Sequence, residues 1–138
     1  MIKIRKCYNE DIEIVINFLI NNWKENHILT RNRQLLDWQY KNENNSYNFI
    51  IGFHNNKIEA VLGYIPNNRY NSIKSNKNII WLALWLVNPK CKIPGFGIRL
   101  LNYLKSKNKF ESIAINGINK LHLDMYKALN FHTDFLKH

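Results

Sequence analysis

Cysteine is scarce in this chain: Cys7 and Cys91 are the only two, with no Cys-x-x-Cys pair and no histidine at zinc-ligand spacing. That excludes a disulfide framework and a structural zinc site, so no metal is expected and a reducing cytoplasm fits best. Long apolar runs are missing as well. The longest, Ile79 to Val87, is about half of what a bilayer-spanning helix needs. The opening Met-Ile-Lys-Ile-Arg is not a basic cluster followed by a long apolar stretch. A soluble, unexported chain without membrane contact is therefore expected. There are three prolines and five glycines, and no Gly/Ser linker, internal repeat or low-complexity tract. One continuous domain over residues 1–138 is the simplest organisation. Acidic residues are few: ten Asp and Glu face twenty Lys and Arg, a formal net charge of +10. Such an excess favours nucleic acid, an acidic membrane or a phosphate-bearing cofactor, and charge alone does not choose among them. Lys, Asn and Ile crowd every segment, so a general compositional bias explains the charge equally well.

The composition does supply a core: 46% of residues are hydrophobic and 13% aromatic, with 22% charged, which excludes a disordered chain. Ile2 to Lys6 alternates apolar and basic residues like a short strand. Asn9 is placed to cap a helix whose Ile12, Val15, Ile16, Leu19, Ile20 and Trp23 form one apolar face. After a polar break through His27 and Thr30, Leu35, Leu36, Trp38 and Tyr40 mark a second helix. Tyr47 to Phe53 and Lys57 to Ile65 read as strands joined by His54-Asn55-Asn56, because Asn tolerates the positive φ of tight hairpin turns. Ile79 to Val87 is apolar at nearly every position, as in a central strand covered on both faces. A helix from Pro94-Gly95-Phe96-Gly97 through Leu104 and a strand from Ser112 to Ile118 complete a parallel, right-handed crossover unit. Asn119 opens a last helix to Leu129, and Phe131 to Leu136 begins another strand. The expected fold is α/β, a mixed sheet flanked by helices in the order βααβββαβαβ.

The sharpest local signal is Lys92-Ile93-Pro94-Gly95-Phe96-Gly97, between a buried strand and a helix. Glycines let backbone amides approach a ligand, and the unpaired amides of a helix start favour negative charge. Phosphate binding and a ligand-free helix-entry turn both fit the glycines. A dinucleotide fingerprint fails, because Leu100 stands where a third small residue belongs and Glu111 precedes the next strand instead of ending it. A Walker loop fails too, since Ile98-Arg99 replaces its Lys and Ser or Thr.

Taken together these residues resemble the GNAT superfamily of acyl-CoA-dependent N-acyltransferases. Lys92 to Gly97 is similar to its pyrophosphate loop, Gln/Arg-x-x-Gly-x-Gly/Ala, with Lys at the first position. Asn119, Tyr126 and Leu129-Asn130-Phe131 match a second pattern of Asn, Tyr seven residues on and a Leu-Gly-Phe triplet, with Asn130 replacing the glycine. The expected strand order agrees, and the likeness covers nearly the whole chain. Trp23 to Leu29, with Trp38-Gln39-Tyr40, also looks like a bacterial subgroup linked to surface-polysaccharide biosynthesis.

The resemblance implies an acetyl-CoA site and a small-molecule amine acceptor, an amino sugar among the options. It places the cofactor's arm along the main chain of Leu86 and Val87. It places the pyrophosphate on the amides of Gly95, Phe96, Gly97, Ile98 and Arg99, with Asn119 as a further cofactor contact and Lys90, Lys92 and Arg99 adding charge. The amine attacks the thioester directly, without a covalent enzyme intermediate, and Tyr126 protonates the departing thiolate; its alternative is a core tyrosine. Many relatives carry a carboxylate base on the central strand, and none lies between Ile79 and Val87. His27 is the substitute candidate because its pKa lies near neutral, against the plainer reading of an exposed loop histidine. Glu59, His54 and Asn116 are weaker ones. Trp23 and Trp38 are expected at the acceptor, although of the four tryptophans two are expected in the core. Cys91 beside the loop is expected to be inert. Two other functions stay open: a non-catalytic CoA-binding module of a larger protein, and a basic nucleic-acid-binding domain supported by charge alone. The chain stops at His138 where the family adds a seventh strand, so a short variant, a trimmed chain or the front of a longer protein is expected, and an open sheet edge invites a second copy.

Overall fold

A computed structural model describes residues 1–23, 27–67, 79–107 and 112–115. The expected last helix and sixth strand lie outside the described residues. Within them, strand β1 (Ile2–Tyr8) leads through a 3-10 turn (Asn9–Asp11) into α1 (Ile12–Asn22), followed by α2 (Ile28–Arg31) and α3 (Arg33–Tyr40). Then come β2 (Ser46–His54), β3 (Lys57–Pro66), β4 (Ile79–Val87), α4 (Phe96–Lys107) and β5 (Ser112–Ile115). The five strands form one sheet in chain order, antiparallel from β1 to β4 and parallel between β4 and β5. No described helix is long and apolar enough to cross a membrane.

Two apolar clusters cover the two faces. Alternating β2 residues Phe49, Ile51 and Phe53 pack with Val15, Leu19 and Leu36 of α1 and α3, while Ile50 packs with Phe96, Leu100 and Leu104 of α4. The period-two alternation of a strand thus sorts one sequence between two helical layers. The β2–β3 turn is as expected: Asn55 and Asn56 both have positive φ, 51° and 66°, the pairing that a type I′ hairpin requires.

Two expectations change. Asn9 does not cap α1; its side-chain amide donates to Asn45 Oδ1 at 3.2 Å. The entry is built instead on Asp11, 7% exposed, which accepts the Tyr8 N–H at 2.9 Å and both guanidinium nitrogens of Arg5 at 2.6 and 2.8 Å. The second helix is α3 as expected, started by Asn32, whose Oδ1 accepts the Leu35 N–H at 3.0 Å, and the polar break before it holds the short α2. Lastly, β4 is not covered on both faces: Trp81 and Val87 are each 37% exposed. Its apolar run reflects a change of face, since Gly63 pairs with Leu84 and Tyr64 with Leu82, leaving Ala83 as an extra residue against β3. Such a bulge reverses the alternation. Ile80, Leu82 and Trp85 consequently face α4, while Leu84 and Leu86 face α1 and α3.

The Arg5–Asp11 pair yields a prediction. The Arg5 hydrogen bond, outweighing burial, holds the Asp11 carboxyl below the usual carboxylate range. A depressed folded pKa gives stability that is present above the unfolded value of about 4 and lost as pH falls through the folded one. Asp11→Asn is expected to cost about 2–3 kcal/mol at neutral pH, by weakening charged hydrogen bonds to a largely buried group. Urea unfolding at neutral and acid pH checks this: the gap to wild type should shrink below about pH 4, and a constant gap would refute it.

Candidate functional site

The turn between β4 and α4 is built by short-range bonds. The Asn88 N–H donates to the Glu59 carbonyl at 2.8 Å, the Asn88 side-chain oxygen accepts the Lys90 N–H at 3.0 Å, and the Asn88 carbonyl accepts the Cys91 N–H at 2.9 Å. Gly95 then adopts φ +63°, and the space where a Cβ would stand is open to 4 Å. A left-handed residue just before a helix lets the chain turn sharply into α4. The first intrahelical bond runs from the Arg99 N–H to the Gly95 carbonyl at 3.0 Å. The N–H groups of Phe96, Gly97 and Ile98 precede it and have no acceptor within the helix. Arg99 therefore leaves the expected set of anion-binding amides, because its N–H is committed to the helix. Its exposed guanidinium stays beside the turn, as does exposed Lys92.

Gly97 is glycine for a separate reason. A Cβ there would stand 3.0 Å from Trp85 Nε1 and 3.0 Å from Val87 Cγ2, so α4 begins in close contact with the end of β4. The Trp85 indole N–H donates to the Gly97 carbonyl at 3.0 Å and fixes that contact. Phe96 anchors the same turn from the other side: it is 1% exposed and packs where Gly52 leaves room, a Cβ at Gly52 falling 2.7 Å from its ring. Lys92, Gly95, Phe96, Gly97, Ile98 and Arg99 are thus brought to one helix start. Leu86 and Val87 lie beside it on β4, whose described pairing with β5 ends at Leu82 opposite Ile115. The bulge at Ala83 begins where that described pairing ends. Sequence reasoning missed this bulge, since it is a property of register between strands.

The expected acceptor residues divide. His27 caps α2: its Nδ1 accepts the Leu29 N–H at 3.2 Å, which puts the neutral ring's proton on Nε2, so the ring offers a donor there and acts as a base only when the cap is released. Trp23 stacks on His27 with ring centroids 3.7 Å apart and also packs against the α1–α3 core. Trp38 stands 62% exposed on α3. Trp23 and Trp85 pack against the two clusters, and Trp38 and Trp81 are the exposed pair. Tyr126, Asn119 and Asn116 lie outside the described residues. Burial pushes the Cys7 thiol up to about 12, which removes it as a nucleophile at neutral pH; Cys91 is a half-buried free thiol packed against the α4 cluster. Among the described residues no group of His, Cys, Asp and Glu is placed to hold a metal.

A further feature carried no sequence signal. An open cleft of about 590 Å³ lies between the last turns of α1, the start of β3 and the turn after β4, with Phe18, Asn21, Lys57 and Lys90 among its lining.

No protein-family model and no curated protein matches the chain. Solved structures do. An aminoglycoside acetyltransferase from an uncultured soil metagenomic sample superposes with a TM-score of 0.74 at 12% identity, covering 100% of this chain and 96% of that one. The aminoglycoside N-acetyltransferase AAC(6')-Iy, in complex with CoA, gives 0.69 at 11% identity over 100% and 95%. A possible acetyltransferase from Clostridium difficile 630 gives 0.66 at 17% identity over 100% and 95%. The chain therefore has the mixed five-stranded sheet and flanking helices of the GNAT-like acetyltransferase fold.

Proposed function

We propose that the chain is an N-acetyltransferase of the GNAT superfamily, moving an acetyl group from acetyl-CoA to a primary amine. The observation that carries this reading is the β4–α4 turn: a left-handed Gly95, three unengaged helix-start N–H groups and flanking Lys92 and Arg99, set in a fold shared with acetyltransferases. These groups suit a pyrophosphate, since oriented N–H groups and a helix dipole favour anions. Bound acetyl-CoA supplies an activated acyl group as a thioester.

In this reading the N–H groups of Phe96, Gly97 and Ile98 hold the pyrophosphate, and Lys92 and Arg99 neutralise it. Leu86 and Val87 guide the cofactor's arm by main-chain contacts. The bulge at Ala83 interrupts the β3 ladder at mid-strand and so makes main-chain N–H groups available to stabilise a developing oxyanion. Tyr126 donates a proton to the leaving thiolate, and Asn119 assists the cofactor. Trp23 and the Nε2 side of His27 face the acceptor, with Trp38 on the far wall. Transfer takes place in one ternary complex, which positions the amine against the thioester without a covalent enzyme intermediate. An amino sugar belongs to the acceptor range. The likeness to a polysaccharide-biosynthesis subgroup has no counterpart among the similar structures described above, and the proposal does not include it.

Thiol release from acetyl-CoA in the presence of a panel of primary amines tests the reading. Amine-dependent release is expected. Tight acetyl-CoA binding with no release from any amine would leave a CoA-binding module in place of an enzyme.

A further inference from the structure

We propose that the cleft between α1, β3 and the turn after β4 binds an anionic group of the acceptor, so that the acceptor is an amine bearing a phosphate or a carboxylate. This rests on the acetyl-transfer reading and narrows it. Asn17, Asn21 and Asn22 of α1, Lys57 at the start of β3, and Asn88 and Lys90 after β4 supply the polar lining over an apolar floor that includes Phe18. None of the described lining residues is acidic.

The charged side chains that line the cleft, Lys57 and Lys90, are both positive. Among the described residues neither Lys57 nor Lys90 has a carboxylate within 4 Å. Glu13, one residue before the cleft-lining Ile14, is held by Arg33 at 2.7 Å. On β3, Glu59 is absent from the lining, and its Oε2 is buried without a hydrogen-bond partner among the described residues. The turn bearing Lys90 is pinned by the three hydrogen bonds of Asn88, so the main chain that carries that ammonium is held at the cleft. Ammonium and carboxamide N–H groups together suit phosphate or carboxylate oxygens. Among the described residues a polycation meets two like charges there and no lining carboxylate.

The location ties the cleft to the acceptor. It follows α1 to Asn21 and Asn22, and the next residue, Trp23, stacks on His27. It also reaches the end of β4 on the α1 side, whereas α4 and its glycine turn pack on the opposite face. An amine entering from α1 and a cofactor held at α4 meet at the same strand. This assignment parts the chain from the aminoglycoside acetyltransferases whose fold it shares, since aminoglycosides are polycations.

The test compares kcat/KM for glucosamine, glucosamine 6-phosphate, muramic acid and sisomicin in wild type and in Lys57→Glu, with acetyl-CoA affinity measured by calorimetry in both. Lys57 is the reporter because it is exposed and lies on β3, away from the glycine turn. Wild type is expected to favour the phosphate- or carboxylate-bearing sugar over glucosamine by at least about tenfold, the effect of one charge-assisted hydrogen bond. Whichever of the two anionic sugars is preferred identifies the anion. In Lys57→Glu that ratio should collapse toward one while acetyl-CoA affinity is unchanged. Sisomicin or glucosamine used as well as the anionic sugars, or a ratio unmoved by Lys57→Glu, would overturn the proposal and leave acetyl transfer standing. Failure of acetyl-CoA itself to bind removes the acetyl-transfer reading and this inference with it.

Discussion

Gly97→Glu is expected to weaken acetyl-CoA binding at least about a hundredfold, which corresponds to losing two charge-assisted hydrogen bonds. The new side chain starts 3.0 Å from Trp85 Nε1 and Val87 Cγ2. It therefore projects into the crowded junction of β4 and α4, displaces the helix start and places a carboxylate where an anion should bind. Because the steric demand strains the fold as well as the site, Arg99→Glu serves as its partner variant. That side chain is exposed, so its reversal leaves the packing alone and should cost roughly tenfold in affinity through electrostatics. Calorimetry on both variants, with thermal unfolding as the check on folding, measures the effect. Undiminished affinity in a folded Gly97→Glu protein would remove the turn from cofactor binding.

Tyr126→Phe should lower turnover about a hundredfold or more, the usual worth of a positioned general acid, with acetyl-CoA affinity nearly unchanged. The substitution deletes one hydroxyl and keeps the ring, so a tyrosine that only packs would lose little. A rate loss without a binding loss is the signature of a group acting on the leaving thiolate. Single-turnover measurements separate this from slow product release, and a wild-type rate in an assay limited by chemistry would return Tyr126 to a packing role.

Much of the fold could be read from residue patterns because the patterns are local. Asn55-Asn56 specifies its hairpin by tolerating positive φ at two successive positions. The helices α1 and α4 follow from apolar spacing, and the glycine turn from Gly95 and Gly97 before Leu100, Leu101 and Leu104. What the local patterns do not show depends on partners distant in sequence. Asn9 is a good cap residue by type, yet folding gives its side chain to Asn45, and Asp11 with Arg5 and Tyr8 builds the helix entry in its place. The uninterrupted apolar stretch of β4 suggests burial on both faces, but a bulge at Ala83 reverses its alternation, so that Leu82 and Leu84 face opposite sides of the sheet. The eight aliphatic or aromatic side chains around Ala83 give no sign of where the register slips.

The candidate site divides along the same line. The turn that carries the cofactor proposal is one contiguous segment, so its residues were evident beforehand. His27 was noticed for its titration range, while the structure gives its Nδ1 to the start of α2 and its ring to Trp23. The cleft was invisible because Asn21, Lys57 and Lys90 come from three separate elements. Arg33 shows the same effect: beside its i,i+4 partner Asp37 at 3.0 Å, it joins Glu13 of α1 and Tyr47 of β2 at 2.7 and 3.3 Å, two ties that no spacing announces.

The central claim is that the helix-start amides of the β4–α4 turn hold the pyrophosphate of acetyl-CoA. Backbone amide NMR during an acetyl-CoA titration reads those groups one by one. The account predicts saturable shifts, on a common binding curve, at Gly95, Phe96, Gly97 and Ile98, with the amides around Asn32 at the α2–α3 junction unmoved. Saturation by acetyl-CoA with those four resonances unchanged would contradict it.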